Sequence, residues 1–274
     1  MIQEFRPEIA EFLEYIYSEC NKPKRLSRDP LAVVLRYDDA ADREVAGLIC
    51  STLAFGSVDL ILRACGEALV PLGKRPASIL ESMDDGDLER YWGGFQYRFC
   101  FSVDMKALLR AIREARRRHG SLEALFLAGD VPGQAFKETA GNFVKTLREL
   151  GSDRGRGSIR KNLLPDPSDG SACKRLFLFF RWMVRKDDID PGGWDSVSPS
   201  RLIVPLDVHM VRTCRDRLGF LGKERAAGSP TLRDALTVTE QFALYSPDDP
   251  VKYDFALTRP GIDPQPGDEI FGCL

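Results

Sequence analysis

No Cys-x-x-Cys pair occurs among the seven cysteines of this 274-residue chain (Cys20, Cys50, Cys65, Cys100, Cys173, Cys214 and Cys273). Their odd number and wide spacing exclude a disulfide framework and a thiolate metal site, and fit reduced thiols. Also missing is any segment approaching the roughly 18 apolar residues of a membrane span. The opening MIQEFRPEIAEFLEY mixes acids with its apolar residues, unlike a secretory leader. A soluble, unprocessed, cytoplasmic protein without membrane contact is expected. An excess of one charge sign is lacking too: 39 Lys and Arg face 41 Asp and Glu, a formal net charge of -2. That excludes a uniformly basic coat for nucleic acid, but not a local basic surface. Arg154 to Lys186 holds nine Lys or Arg against two Asp. Internal repeats, low-complexity tracts and a convincing strand ladder are absent as well.

What is present is helical periodicity. Pro7 suits a first helical position, and Ile9, Phe12, Leu13, Ile16 and Tyr17 follow at three- and four-residue steps. A second helix is expected after Asp38 and Asp39, ending at Gly56 and Ser57, and a third runs to Val70 before Pro71. Further helices are expected near Ser78 to Met83, from Asp104 to Arg118 and from Pro132 to Leu150. The run Arg116-Arg117-Arg118-His119 reads as a basic helix end complementing the dipole. Residues 151 to 170 concentrate Gly, Ser, Pro and basic residues and predict a loop, anchored by Leu163 and Leu164.

After that loop, about Ser171 to Lys186 is a nearly all-apolar helix carrying Lys174, Arg181 and Arg185 close to one face. A turn-rich connector follows, with helices from Asp207 to Leu218, Pro230 to Tyr245 and Pro250 to Thr258. In Val204-Pro205-Leu206-Asp207-Val208-His209-Met210, proline favours an extended residue before it, while Val208, Val211, Cys214 and Leu218 mark a buried stripe. Asp207 therefore sits at or beside an N-cap, where amides and the helix dipole favour its ionised form. Taken alone it is a capping residue. A fixed carboxylate of this kind can also stabilise a developing oxocarbenium cation.

The run VPLDVHM resembles the signature of the HhH-GPD (helix-hairpin-helix) superfamily of DNA glycosylases, whose aspartate opens a helix after a turn. It is very similar to the corresponding run of eukaryotic 8-oxoguanine glycosylases, and Arg212 matches an arginine common in endonuclease III-like members. Lys174, opening the apolar helix in GSACKRLFLFFRWMVR, stands where bifunctional members carry their nucleophile. The plain alternative is an interfacial lysine reaching solvent. The usual Leu-Pro-Gly-x-Gly hairpin is here Leu164-Pro165-Asp166-Pro167-Ser168-Asp169-Gly170, in which Asp166 and Asp169 are expected to repel phosphate. Archaeal 8-oxoguanine glycosylases resemble the chain in both the altered hairpin and the long spacer from Lys174 to Asp207. Over its whole length the chain resembles a family of mostly uncharacterised bacterial proteins of this length, sharing the runs GSACKRL, RWMVR, PLDVHM and DPVKYDFALTR.

The resemblance implies an all-α, two-lobed fold, with residues 41–186 as one lobe and 1–40 plus 187–274 as the other. It implies a monomeric glycosylase and AP lyase acting on damaged or abasic double-stranded DNA, with Lys174 and Asp207 facing each other across a cleft. An oxidised purine is the implied base. DNA contacts are expected from His209, Arg212, Gly170, Ser171, Arg160, Lys161 and Arg175. Cys273 stands alone near the C-terminus, so no iron-sulfur cluster and no other cofactor is expected. His209 fits a phosphate contact or an ordinary helix surface. Trp194 could stack on an extruded base or pin a loop to the core, and Phe95 to Phe99 could approach nucleic acid or pack inward. Asp187, Asp188 and Asp190 lack the spacing of a calcium loop and read as turn acids. A non-catalytic DNA-binding protein on the same scaffold, and an enzyme of nucleosides or RNA, stand as alternatives.

Overall fold

The computed structural model describes residues 4–152, 157–222 and 228–269. Helix α1 (Pro7–Cys20) starts with a proline, whose missing N–H would have no helical partner there anyway, and buries Ile9, Leu13, Ile16 and Cys20. The short α2 (Leu31–Val34) precedes α3 (Ala40–Leu53), whose N-cap Asp39 accepts from the amides of Ala41 and Asp42. Glu44 to Leu53 is buried without interruption, which makes α3 the central strut. Three surface-facing helices follow: α4 (Val58–Leu69), α5 (Pro76–Ser82) and α6 (Asp85–Trp92), the last opened by a reciprocal capping box between Asp84 and Asp87.

Between α6 and the next helix lies the only sheet among the described residues, an antiparallel hairpin of β1 (Gln96–Tyr97) and β2 (Cys100–Phe101). This small ladder was not expected from the alternation pattern, because each strand is only two residues long. Helix α7 (Ser102–His119) then packs along α9 (Phe136–Gly151), with α8 (Leu122–Ala128) between them in sequence. Gly151 is needed at this contact, since a Cβ there would lie 2.5 Å from the carbonyl of Ala107. The helix expected from Pro132 begins at Phe136, because residues 131 to 134 close a turn in which Gln134 donates its amide to the Val131 carbonyl. The basic end of α7 does more than complement a dipole. Arg116 is buried and pairs with Glu44 and Glu81, tying α7 to α3 and α5.

Helix α10 (Lys174–Val184) lies against α3, where Gly47 leaves room for Met183 and Phe179 to approach its backbone. The last helices are α11 (Val208–Asp216), α12 (Leu232–Ala243) and α13 (Asp254–Ile262). None of the described helices is long and apolar enough to cross a membrane.

Two expectations are corrected here. Arg181 and Arg185 share a face of α10, as their spacing requires, but both are buried and do not serve a basic surface. Asp190 pairs with both, Asp254 takes Arg181 at 2.5 Å, and Asp249 and Asp187 take Arg185 at 2.9 and 3.0 Å. Asp187 and Asp190 are thus the counter-ions of α10, while Asp188 is exposed. Trp194, suggested for a base pocket, is only 3% exposed. It packs on Phe126, Phe143, Phe179 and Phe180, and its Nε1 donates to Glu44 Oε1 at 2.9 Å. The indole pins the connector to the core.

Candidate active site

Local backbone geometry sets both ends of the pair singled out in the sequence. Cys173, the residue before α10, adopts a left-handed φ of +46°, an uncommon conformation for a side-chain-bearing residue, so the chain turns sharply and Lys174 becomes the first helical residue. The thiol of Cys173 is buried, which pushes it up to about 12. The buried thiol therefore stays protonated at neutral pH. On the facing side, Pro205 ends an extended stretch and Asp207 caps α11, accepting from the Met210 amide at 2.8 Å through Oδ1. The second oxygen, Oδ2, accepts from Lys174 Nζ at 2.7 Å. Burial alone would raise the Asp207 carboxyl, but the Lys174 charge and hydrogen bond and the Met210 amide hold it below the usual carboxylate range.

The pair lies in a cleft of about 770 Å³. Phe55 to Val58 form part of one wall and Pro205 to His209 part of another, while Asp254, Thr258 and Arg259 of α13 also line it. Lys174 keeps about a third of its side-chain surface exposed and Asp207 about an eighth (36% and 12%), so the amine stays reachable while the carboxylate is held inside. Arg175 adds a second positive charge. It donates to the carbonyls of Thr52 and Asn162, and its guanidinium lies 5.0 Å from the Phe55 ring centroid. Burial with no carboxylate beside it pushes Arg175 down to about 10.

Of the residues expected at a DNA surface, Ser171, Arg175 and His209 line the cleft together with Lys174 and Asp207. Gly170 lies just outside it in a left-handed conformation (φ +81°), its carbonyl accepting from Leu232. Arg160 is engaged by Asp104 through both carboxylate oxygens, and Lys161 is exposed and pairs with Asp169 at 3.3 Å. Arg212 is exposed on α11 and does not line the cleft, and Trp194 is in the core. Arg154 and Cys273 lie outside the described residues. Among the described residues no group of three or more His, Cys, Asp or Glu could hold a metal ion.

The altered hairpin departs from expectation in an instructive way. Asp166 does not face outward to repel phosphate: it is buried, and its carboxylate accepts from the Ser168 amide at 2.8 Å. The amides of Asp169 and Gly170 donate to the carbonyls of Asp166 and Pro167. All three turn amides are therefore used within the turn itself. The sequence reading also missed Phe55 and Arg259 as cleft residues. Phe55 was hidden in a capping signal around Gly56, and nothing local marks Arg259, which comes from a helix 85 positions after Lys174.

No curated protein and no solved structure matches the chain. A family model does match, over residues 29–263, a span that includes every residue of the cleft except Arg28 and carries both helices that present the Lys174–Asp207 pair. The chain belongs to that family, described as "Protein of unknown function (DUF2400)".

Proposed function

We propose that the protein is a DNA base-excision glycosylase with an associated AP-lyase activity, acting through Lys174 and Asp207. The observation that carries this reading is the 2.7 Å contact between the two side chains at the starts of facing helices, on the wall of a cleft of about 770 Å³. In this reading, residues 41–186 and the two chain ends form the two lobes that flank the DNA. The damaged base is extruded into the cleft. Lys174 gives up a proton, with Asp207 Oδ2 as the nearest acceptor, and its Nζ lone pair attacks C1′ while the bond from C1′ to the base breaks. The departing base takes up that proton from Asp207, which returns to its ionised form. Asp207, fixed by the Met210 amide, stabilises positive charge on the sugar. Opening of the sugar ring yields an imine on Lys174, and loss of a C2′ proton then expels the 3′ phosphate.

An oxidised purine is the proposed base. A second reading, a non-catalytic DNA-binding protein on the same scaffold, is favoured by one observation: the turn amides of Ser168, Asp169 and Gly170 are all engaged internally. A screen of damaged duplexes separates the two. Release of a free base by the wild type, lost in Asp207→Asn, supports the enzyme; DNA binding with no excision from any duplex supports the scaffold reading.

A further inference from the structure

Beside the cleft, the β1–β2 hairpin presents a surface that the chemistry of the Lys174–Asp207 pair does not use. Its two-residue turn places Arg98 at φ +49°, a left-handed position where glycine or asparagine is the ordinary choice. Phe99 and Phe101 remain 37% and 42% exposed on this small element, although large aromatics gain most by burial. The surface is continuous with the cleft. Phe99 stacks on the cleft residue Phe55 at 4.2 Å and 14°, and Arg175, next to Lys174, covers Phe55 at 5.0 Å. Gly56, also in the cleft, lies so close to the Arg98 guanidinium that a Cβ there would meet Nη1 at 2.7 Å.

Cations alternate with these rings. Arg160 sits 5.2 Å over Phe101, and Arg98 and Arg175 have no carboxylate partner among the described residues. The one acid in the patch, Asp104, is fully buried and spent on Arg160. Flat rings beside an exposed guanidinium without a carboxylate, that of Arg98, match a nucleic-acid strand whose bases are unstacked: the rings take base faces and Arg98 takes a phosphate. An apolar protein segment would leave that guanidinium without a counter-charge.

We propose that the hairpin, through Phe99, Phe101 and Arg98, binds an unstacked base of the DNA strand that passes the cleft, so that the protein selects DNA containing unpaired bases over fully paired duplex. This rests on the reading of the cleft as a DNA site. The test uses the full chain with three short DNAs, one fully paired, one with an abasic site and one with a central bubble containing 2-aminopurine. The wild type is expected to bind the bubble roughly ten times more tightly than the paired duplex and to quench the 2-aminopurine. Phe99→Ala/Phe101→Ala should lose both effects while binding the paired duplex as before. Phe99→Leu/Phe101→Leu, which keeps the apolar bulk, should lose the quenching too. Unchanged preference and quenching in both variants would overturn the proposal. So would wild-type self-association that the alanine pair abolishes and the leucine pair retains, because a second copy would then cover the patch. Binding of abasic duplex without bubble preference sinks this inference alone, whereas binding of no DNA sinks the cleft reading with it.

Discussion

Lys174 Nζ and Asp207 Oδ2 meet at 2.7 Å although 33 positions separate the two residues in the chain. The contact joins the first residue of α10 to the N-cap of α11, so each helix start holds the other's functional group in place. Asp207 has two separable tasks, capping through Oδ1 and pairing through Oδ2.

Those tasks come apart in Asp207→Asn. Asparagine caps a helix about as well as aspartate, so thermal stability should change by no more than about 1 kcal/mol. Base excision should fall by about 100-fold or more, because the fixed negative charge is gone. Parallel melting curves and single-turnover rates check this; a stability loss that accounts for the lost activity would leave only the capping role.

The second expectation concerns the buried network on α10. Removing the guanidinium in Arg181→Ala strands the buried Asp254 beside a cavity and leaves the buried Asp190 with Arg185 alone. Burial already pushes the Asp254 carboxyl up against the pull of Arg181. A loss of about 3–5 kcal/mol in chemical denaturation is expected. A change below about 1 kcal/mol would mean that water or a rearrangement replaces the pair.

A pH dependence follows from Asp187. Burial works against its charge, but Arg185, the amides of Asp190 and Ile189, and the Tyr17 hydroxyl hold it at about 2. A carboxyl depressed in the folded state stabilises the fold fully above its unfolded value near 4, and that contribution disappears as pH falls to about 2. The contribution is roughly 2 kcal/mol. Denaturation of wild type and Asp187→Asn from pH 7 to pH 2 should show the difference between them shrinking mainly below pH 4. A difference that is flat across that range would contradict the assignment.

Trp194 offers a test of placement. Trp194→Phe retains most of the ring packing on Phe126 and Phe179 but removes a donor from Glu44 Oε1, so a cost of about 1–2 kcal/mol is expected. DNA affinity should not move. A selective loss of binding to abasic DNA with unchanged stability would return the indole to the base pocket.

What could be read from sequence was local. Asp39 and Asp207 mark helix starts because a short carboxylate reaches amides two or three residues on, and Leu163 and Leu164 anchor their loop as apolar residues should. The all-helical character rests on periodicity of the same short range. Burial decided by distant chain was not legible. Arg181 and Arg185 look like a basic face until Asp249 and Asp254 arrive from more than 60 positions away, and Trp194 points inward because Glu44, 150 positions earlier, receives its N–H. The helices α2, α6 and α8 escaped because four to eight residues carry too few turns for a periodic signal. Similarly, Asp166 reads as a repulsive surface acid, whereas capping of the short turn Pro167–Asp169, through the Ser168 amide two residues on, holds its carboxylate inward.

The central claim is that Lys174 is a nucleophile toward the sugar, and one measurement reaches it directly. Abasic-site duplex, which needs no assumption about the damaged base, is incubated with the protein and borohydride, which reduces an imine to a stable amine and joins protein to DNA. Wild type should form the adduct, peptide mapping should place it on Lys174, and Lys174→Gln should lose trapping and strand cleavage together while keeping its DNA affinity. Equal trapping by wild type and Lys174→Gln, or an adduct mapped to the N-terminal amine or to Lys161, would contradict the account.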